Sequence, residues 1–467
     1  MASAYDGGLS NPHRIGPAAS RLEERGAAEQ RQGAYPYRFP RDLRQLGGKY
    51  TVEQNRQRLL RYFYFERRLA QALGAWTLGI PEFEVTVETG RHIFYHADAA
   101  RTLRERLSEQ EMTIAKVDAF RDSEIDGVFD ELLLASDTPE LLVGVHQVLG
   151  EALSLAYRHH IDDTDPVTDA PTIRALKRVL SDYEPMLSWA SSAIAAYVEG
   201  GIEESRLEGW RWHLRRLLGS VGGVSGTDER NVAPDGLRSG VQSFERPTYP
   251  ARDQRFVVFD NTGDYDVADG EPRYTPNTYD FWRLIFLRTQ RDEVDAIETF
   301  GTLVWDVRFT DFDSEYHLAR ITWDESRHTE IGHKALTVAG YNPWELPNRL
   351  TPSICRGDIE PEYSLAQINL FGEVGIMRTI GGLIERARER DDSLVAHIAD
   401  FIRSDERTHV KKGQIILRGM TDMGMQDLEY KTRELFTECL VGLGAVVDEG
   451  QGLQVLTREE IERLVGE

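Results

Sequence analysis

The chain has 467 residues and a formal net charge of -23 at pH 7. This length predicts two or three domains with substantial cores. The negative charge argues against a nucleic-acid partner, because no basic surface is available to bind phosphate. The two cysteines do not make a disulfide framework. No apolar run approaches the roughly 18 residues of a membrane span, so we expect a cytoplasmic protein with no membrane partner.

The first half of the chain predicts an arm followed by a helical domain. Residues 1–32 are rich in Ala, Gly, Ser and Arg and lack an apolar signal core, and residues 35–48 are polar and contain two prolines, so we predict an arm at 1–48. Residues 49–218 contain long amphipathic runs, which Gly and Pro interrupt at 79–81 and a cluster of Asp interrupts at 162–166. We predict a helical bundle here.

A linker follows at 219–275. It is rich in Gly, Ser and Pro, and its glycines do not have the spacing of a phosphate-binding loop. The run Arg-Phe-Val-Val-Phe-Asp at 255–260 predicts a short strand. A connection of this length can lie over a neighbouring domain as a lid.

Two short motifs stand out in residues 276–420: Asp-Glu-Ser-Arg-His at 324–328 and Asp-Glu-Arg-Thr-His at 405–409. Each lies in a long amphipathic run, and residues three apart share one face of a helix. The glutamate and the histidine of each motif can therefore point at a common position. One Glu-x-x-His is a weak signal, but two copies are typical of a bundle that binds two metal ions, if two more helices add one glutamate each.

The first additional glutamate is predicted from the height of residues in a hairpin. Glu298 lies in the predicted helix before the first motif, and the midpoint between Glu298 and Glu325 falls in a polar turn at 308–314. Glu293 is nearby, but on this register it is more than one helical turn out of step. We therefore predict that Glu298 is the ligand.

The second hairpin has its turn at 390–393, which contains the midpoint between Glu373 and His409. Glu373 interrupts an apolar stretch, and a buried carboxylate without a partner costs several kcal/mol. Four carboxylates also balance two divalent cations, and carboxylate with imidazole suits iron or manganese. We predict one metal centre from six side chains: Glu298, Glu325, His328, Glu373, Glu406 and His409.

This pattern resembles the ferritin-like di-iron carboxylate superfamily. The spelling of the motifs is most similar to that of the multicomponent monooxygenase hydroxylases and the acyl-carrier-protein desaturases. The resemblance covers about residues 279–417. The chain departs from it where oxygen-activating members often carry a threonine, about one turn after the third-helix glutamate, because Ile376 and Met377 stand there.

The resemblance also implies supporting roles beside the ligands. The aspartate before each Glu-x-x-His glutamate would bind the histidine of the other motif. Asp324 would then hold His409, and Asp405 would hold His328, which fixes the orientation of each ring. Arg327 would balance the charge of the carboxylates.

The N-terminal half repeats the arrangement without its histidines. Four glutamates fall at matching heights across two predicted hairpins: Glu66, Glu88, Glu151 and Glu184. The residue three positions after Glu88 is Arg91, and the corresponding residue after Glu184 is also not a histidine. We infer an internal duplication in which this bundle has lost its metal site and Arg91 replaces the cation. The alternative is a rearranged site that uses histidines of this half: His92, His96, His159 or His160.

The predicted fold class is all-α. It consists of two ferritin-like four-helix bundles, the N-terminal one degenerate, joined by an irregular linker with a short strand segment. The predicted divisions are an arm at 1–48, the degenerate bundle at 49–218, the linker at 219–275, the di-iron bundle at 276–420 and a helical tail at 421–467.

The expected function is that of a non-haem di-iron oxygenase or oxidase, a monooxygenase-like oxidoreductase. It would use two iron ions, with manganese as an alternative, and O₂ to hydroxylate, desaturate or N-oxygenate a small organic substrate. No flavin, NAD or iron–sulfur motif occurs, so electrons would come from a separate protein, and the tail could form a homodimer contact. Two alternatives stay open: a ferritin-like iron-binding or oxidative-stress protein, and a metal-free helical interaction module.

Overall fold

A computed structural model of the chain describes residues 46–256, 278–346, 348–442, 447–448 and 452–453. Apart from one pair of two-residue strands near the C-terminal end, the fold within these residues is all-α, as the sequence predicts. The helices in chain order are α1 Val52–Trp76, α2 Phe83–Glu109, α3 Ile114–Asp118, α4 Ser123–Leu133, α5 Thr138–Leu142, α6 Glu151–Asp163, α7 Ala170–Glu199, α8 Glu204–Ser220, α9 Tyr279–Asp292, α10 Val294–Asp306, α11 Phe312–Val338, α12 Thr351–Asp358, α13 Pro361–Ala366, α14 Val374–Glu389, α15 Ser393–Met420 and α16 Met425–Gly442.

Two stretches of wider, π-helical geometry interrupt the long helices. Val143–Gly150 joins α5 to α6, and Gln367–Glu373 joins α13 to α14. Such segments frequently occur at functional sites. Short 3₁₀ turns follow at Thr77–Gly79 and Arg238–Gly240.

Local chemistry explains where the helices begin. Thr51 forms a capping box with Gln54 at the start of α1. Aspartate side chains accept hydrogen bonds from the first free backbone N–H groups of five other helices. These N-cap residues are Asp122, Asp137, Asp169, Asp311 and Asp392.

In the first half, helices pack in sequence around a buried centre. α1 packs along α2, α2 contacts α7, and α7 contacts both α6 and the π-helical segment before it. α8 also packs on this segment. The long apolar faces of these helices form one core, in which Leu59, Phe63 and Leu103 are fully buried.

In the second half, four helical stretches form a ring. α9 contacts α11, α11 contacts α15, α15 contacts α14, and α14 closes the ring by contacting α9. α10 continues the line of α9 after a break at Glu293 and packs along α11. The ring encloses the residues of both Glu-x-x-His motifs, because α11 carries the first and α15 the second.

The two halves pack closely through α1 and α2 on one side and α10 and α11 on the other. Gly74 and Gly301 permit this approach, because a Cβ atom on Gly74 would lie 2.4 Å from the Gly301 carbonyl oxygen. The main apolar core therefore runs through both halves.

The described part of the linker, residues 219–256, lies against these helices rather than forming a strand. Arg246 pairs with Asp306 at the end of α10, and Ala251 donates its backbone N–H to the carbonyl of Leu78. Residues 255 and 256 lie in turn or irregular backbone, and the remainder of the predicted strand, 257–260, lies outside the described residues. The rest of the linker at 219–275, which we interpreted as able to form a lid, also lies outside the described residues from 261 onward.

The ends of the chain are described only in part. Of the predicted N-terminal arm, residues 1–45 lie outside the described part. At the other end α16 is helical as predicted, but Val447–Asp448 and Gly452–Leu453 pair as two short antiparallel strands. Residues 454–467 lie outside the described part. Among the helices that the structure describes, none combines the length and apolar character needed to cross a bilayer.

Candidate metal centre

Five glutamate and histidine positions of the two hairpins meet at one depth inside the ring formed by α9, α11, α14 and α15. Together with one further glutamate they form two overlapping groups of potential metal ligands. The first group is Glu293, Glu325, His328 and Glu406, and the second is Glu325, Glu373, Glu406 and His409. In each group, one ligand atom from every residue lies within 4.8 Å of all the others. All of these side chains are buried.

Two carboxylates belong to both groups. Glu325 places one oxygen 3.5 Å from Nδ1 of His328 and the other 3.0 Å from Nδ1 of His409. Glu406 does the same from the neighbouring helix α15, at 3.7 Å and 3.6 Å. Each of these glutamates therefore spans the two positions, which is the geometry required of a carboxylate that bridges two ions.

The remaining two carboxylates each serve one position. Glu293 lies 3.0 Å from Nδ1 of His328, and Glu373 lies 3.6 Å from Nδ1 of His409. The two halves of the centre are therefore equivalent. Each position has one histidine, two glutamates that are shared with the other position, and one glutamate that belongs to that position alone. We call Glu293 and Glu373, which belong to one position each, the private glutamates.

Glu298 is not in this cluster, and Glu293 occupies the place predicted for it. The turn between α10 and α11 covers residues 307–311 and is centred on residue 309, not on the middle of the predicted turn at 308–314. Residue 309 is midway between Glu293 and Glu325. Because a shift of the turn centre moves the opposite residue twice as far along the hairpin, an error of about two residues displaced the predicted ligand from 293 to 298.

Local structure brings Glu293 to the centre. Glu293 lies at the break between α9 and α10, where its backbone departs from helical geometry (ψ 3°). A glycine on α11 allows close contact with this break, because a Cβ on Gly332 would lie 2.1 Å from the backbone nitrogen of Arg291. His328, one turn before Gly332, thereby comes within reach of Glu293.

Glu298 is buried for a different reason. Its carboxylate accepts a hydrogen bond of 2.7 Å from Arg252, which the linker inserts beside α10, and Arg252 also contacts Ser353. Burial raises the pKa of Glu298 to about 7, although Arg252 and Ser353 oppose this. The apolar sequence around Glu298 correctly indicated burial, but a distant arginine supplies the compensating charge.

Each histidine is held from behind by an aspartate of the other motif. Nε2 of His409 lies 3.3 Å from Asp324, and Nε2 of His328 lies 3.2 Å from Asp405. These are the cross-pairings that the resemblance implies. A hydrogen bond at Nε2 leaves Nδ1 as the free acceptor atom of a neutral ring, so both rings present the correct nitrogen to a cation.

Arg327 ties the two aspartates together. Its guanidinium forms an ion pair with Asp324 and donates to Asp405 at 3.1 Å. Arg320 adds a second ion pair to Asp324, at 2.5 Å. The aspartates therefore carry compensated charge and remain available to orient the imidazoles.

Two amide side chains orient the private glutamates, and neither was predicted. Asn369 donates to Glu373 at 2.7 Å and to the backbone carbonyl of His409 at 3.0 Å. Gln290 donates to Glu293 at 2.9 Å. Asn369 precedes Glu373 by four residues and Gln290 precedes Glu293 by three, so the spacing of one helical turn was the available signal.

The atoms that face the centre are close together but are not aligned as hydrogen bonds. Five buried atoms in it have no hydrogen-bond partner within the described residues: Glu293 Oε2, His328 Nδ1, Glu373 Oε1, Glu406 Oε2 and His409 Nδ1. Unpartnered buried polar atoms are rare in native proteins. Their convergence on two points is what a pair of coordinated cations would require.

The electrostatics indicate the same deficit of positive charge. Burial, reinforced by neighbouring Glu325 and Glu406, raises the pKa of Glu293 to about 8. Burial and the same two carboxylates raise the pKa of Glu373 well above its usual range. For Glu325 burial acts in the same direction, but contacts with both histidines outweigh it and lower the pKa to about 2. A carboxylate-rich centre of this kind needs cations, and either protons or metal ions can supply them.

The predicted glutamates of the N-terminal half do not meet. Glu66 is fully buried, but Glu184 is exposed and Glu151 pairs with Arg215 at the surface. Glu88 and Arg91 form an ion pair, and Arg91 also reaches Glu330 on α11.

Tyrosines occupy the centre of this half in place of glutamates. Tyr157 and Tyr183 both donate to Glu66, at 2.5 Å and 2.7 Å, and His96 Nδ1 lies 2.6 Å from the other oxygen. Of the histidines in the alternative site, only His96 contacts Glu66 within the described residues. His92 is buried against His146 and Trp189, His160 contacts Asn55, and His159 is exposed.

The buried glutamate and histidine groups of the second half can hold metal ions. Their donor atoms are carboxylate oxygens and imidazole nitrogens, which suit iron and manganese. Comparison of the chain with models of protein families, with curated proteins and with solved structures finds no match.

Proposed function

We propose that this chain is a di-iron enzyme of the ferritin-like type, which uses O₂ to oxidise a small organic substrate. The observation that carries this proposal is the sharing of Glu325 and Glu406 between two equivalent ligand groups. Carboxylates that span two positions, each completed by one histidine and one further glutamate, are the ligand set of carboxylate-bridged di-iron and di-manganese proteins.

The arrangement of helices supports the ferritin-like assignment. The ring of α9, α11, α14 and α15 presents its ligands inward from four directions, and the two Glu-x-x-His motifs lie on the neighbouring members α11 and α15. The four helices around Glu66 would be a second, metal-free bundle derived from the same ancestor. The presence of a π-helical segment at the corresponding place in both halves supports this relationship.

Bound iron would supply the redox chemistry needed for the reduction of O₂. For hydroxylation the overall reaction is R–H + O₂ + 2e⁻ + 2H⁺ → R–OH + H₂O, and a separate donor protein would provide the two electrons. The chain's own residues would hold the ligands in place. Asp324 and Asp405 keep Nδ1 of each histidine directed at the ions, while Asn369 and Gln290 fix the private glutamates.

The burial of the centre serves the same chemistry. Helix packing keeps bulk water away from all six ligand side chains, and a dry site protects a reactive oxidant from side reactions. An apolar cavity lies between α9 and α14 beside the centre, as is expected if an organic molecule has to approach. A protein that only stores iron has no need of such a cavity.

The proposal is tested by loading the full chain anaerobically with Fe(II), then adding O₂ and candidate small molecules. We expect about two iron ions per chain, absorption from an oxygen-bridged ferric pair, and an oxidised organic product detected by mass spectrometry. Parallel loading with Mn(II) tests the alternative metal. Iron uptake and O₂ consumption without any organic product would favour the iron-binding alternative. A chain that takes up neither metal would contradict the proposal and favour the interaction module.

A further inference from the structure

A cavity of about 120 Å³ lies between α9 and α14. Its wall is mainly apolar, with Trp282, Ile285 and Phe286 on α9 and Ile380 and Leu383 on α14. An apolar cavity of about 150 Å³ holds a benzene ring. The volume between α9 and α14 is of the same order but smaller, which restricts its occupant to one small ring or a short branched chain.

The lining residues of α9 lead directly to the metal centre. Trp282, Phe286 and Gln290 of the lining follow one another at helical spacing, and Glu293 is the next residue on that stripe. Gln290 connects the two sites physically, because its amide N–H donates to Glu293 while its carbonyl oxygen is buried without a partner in the described residues. The inner end of the cavity thus faces the private carboxylates of the centre.

The lining residues of α14 converge on the same point. Ile376, Ile380 and Leu383 occupy one face of the helix, and Glu373 lies at the inner end of this face. A bound molecule would therefore be held between two apolar stripes, each of which ends at a ligand glutamate.

The far end of the cavity carries a cation. Arg386 lines the cavity and is partly buried, and its Nε donates to the backbone carbonyl of Gly382 at 3.2 Å. No carboxylate within the described part of the chain pairs with its guanidinium. This folded conformation directs the side chain back along α14, toward the apolar wall. An arginine next to an apolar cavity is a binding site for an anionic group, since its planar N–H groups match a carboxylate.

We propose that the cavity binds an amphipathic monocarboxylate with a single aromatic ring or a short branched chain. Arg386 holds the carboxylate, and the apolar part extends between α9 and α14 toward Glu293 and Glu373. This assignment of a substrate class rests on the proposed oxygenase function. It makes Arg386 the residue that selects acids over neutral compounds, and it places oxidation at the end of the molecule remote from the carboxylate.

The test uses phenylacetate and its neutral counterpart phenylacetamide as probes. Binding of each to the full chain is measured by isothermal titration calorimetry, without metal and again after anaerobic Fe(II) loading. We expect Arg386→Gln to weaken binding of phenylacetate by about tenfold or more, as for the loss of a hydrogen bond to a charged group. Binding of phenylacetamide should change by less than about twofold, because the amide does not use the positive charge.

Two further variants locate the ligand. Arg388→Gln removes an exposed arginine from the same helix outside the cavity and should leave both affinities unchanged. Ile376→Phe enlarges a half-buried side chain of the lining and should weaken both probes. Equal effects of Arg386→Gln on the two probes, no effect of Ile376→Phe, or no binding of phenylacetate to the unmodified chain would overturn the proposal.

These measurements are independent of turnover. If iron uptake or O₂ reduction fails while binding follows the expected pattern, the proposed enzyme function is wrong and the acid-binding cavity stands. If the chain oxidises neutral molecules and Arg386→Gln does not change this activity, the acid-binding cavity is wrong and the proposed enzyme function stands.

Discussion

Both halves of the molecule bury glutamate at the centre of a helical group, one residue in the first half and four in the second, but the buried negative charge is compensated differently. Glu66 receives hydrogen bonds from Tyr157 and Tyr183 and contacts His96, so both of its oxygens have partners. In the second half, oxygens of Glu293 and Glu373 face imidazole nitrogens without an aligned hydrogen. Burial of a carboxylate therefore does not by itself indicate a metal, whereas an excess of buried acceptors over donors indicates a need for bound cations.

The glutamate beside each π-helical segment stands one residue further along in the first half than in the second. Glu373 is the last residue of its segment and points to the centre, whereas Glu151 comes directly after Val143–Gly150 and pairs with Arg215 at the surface. One residue of displacement turns a side chain by about 100° on a helix. A glutamate beside a π-helical segment can therefore lie at the surface in one half and in the centre in the other.

The largest effect that separates the halves is expected from Glu406→Ala. Because Glu406 belongs to both ligand groups, its loss should reduce bound iron from about two ions per chain to background. Metal analysis after anaerobic loading and desalting measures this. Iron retained at half or more of the wild-type amount would show that Glu406 does not bridge.

The matched variant in the other half is Glu66→Gln, which changes an equally buried glutamate. It should leave iron content unchanged and lower the free energy of unfolding by about 1–3 kcal/mol, because the hydrogen bonds of two buried tyrosines are disturbed. Denaturant unfolding measures the loss. A fall in iron content in this variant would mean that the N-terminal centre also takes part in metal binding.

A second pair of variants separates Glu293 from Glu298, two buried carboxylates on neighbouring turns. Glu293→Ala should leave about one ion per chain, since Glu293 serves only the position of His328. Glu298→Gln should keep both ions but destabilise the fold by about 3–5 kcal/mol, because Arg252 loses its buried partner. Metal analysis and denaturant unfolding of both variants check this: iron content should fall only in Glu293→Ala, and the large loss of stability should occur in Glu298→Gln. The opposite pattern would restore Glu298 as the ligand.

Much of this centre could be predicted from the sequence because helical spacing is local information. The motifs at 324–328 and 405–409 place glutamate and histidine on one face whatever else the chain does. The turn at 390–393 is short and fixed Glu373 correctly at the level of His409. The all-α class followed from the same periodicity.

The errors arose where distant residues decide the outcome. The position of Glu293 depends on where the turn before α11 is centred, and the burial of Glu298 depends on Arg252 in the linker. In the N-terminal half, Tyr183 rather than its neighbour Glu184 faces the centre. None of these choices is set by local spacing, because each depends on packing between segments far apart in the chain.

The smallest expected effect concerns the aspartates that hold the histidines. Asp405→Ala removes the partner of His328 Nε2 and one of the two aspartates bridged by Arg327. The ring can then rotate or change tautomer, so iron affinity should fall by about 10–100-fold while binding capacity at saturating metal is retained. Titration with Fe(II) against a competing chelator measures the affinity. Asp400→Ala, which removes an exposed aspartate from the same helix, should have no such effect. Equal affinities in the two variants would mean that the cross-pairing does not support the metal centre, and that the histidines are positioned by helix packing alone.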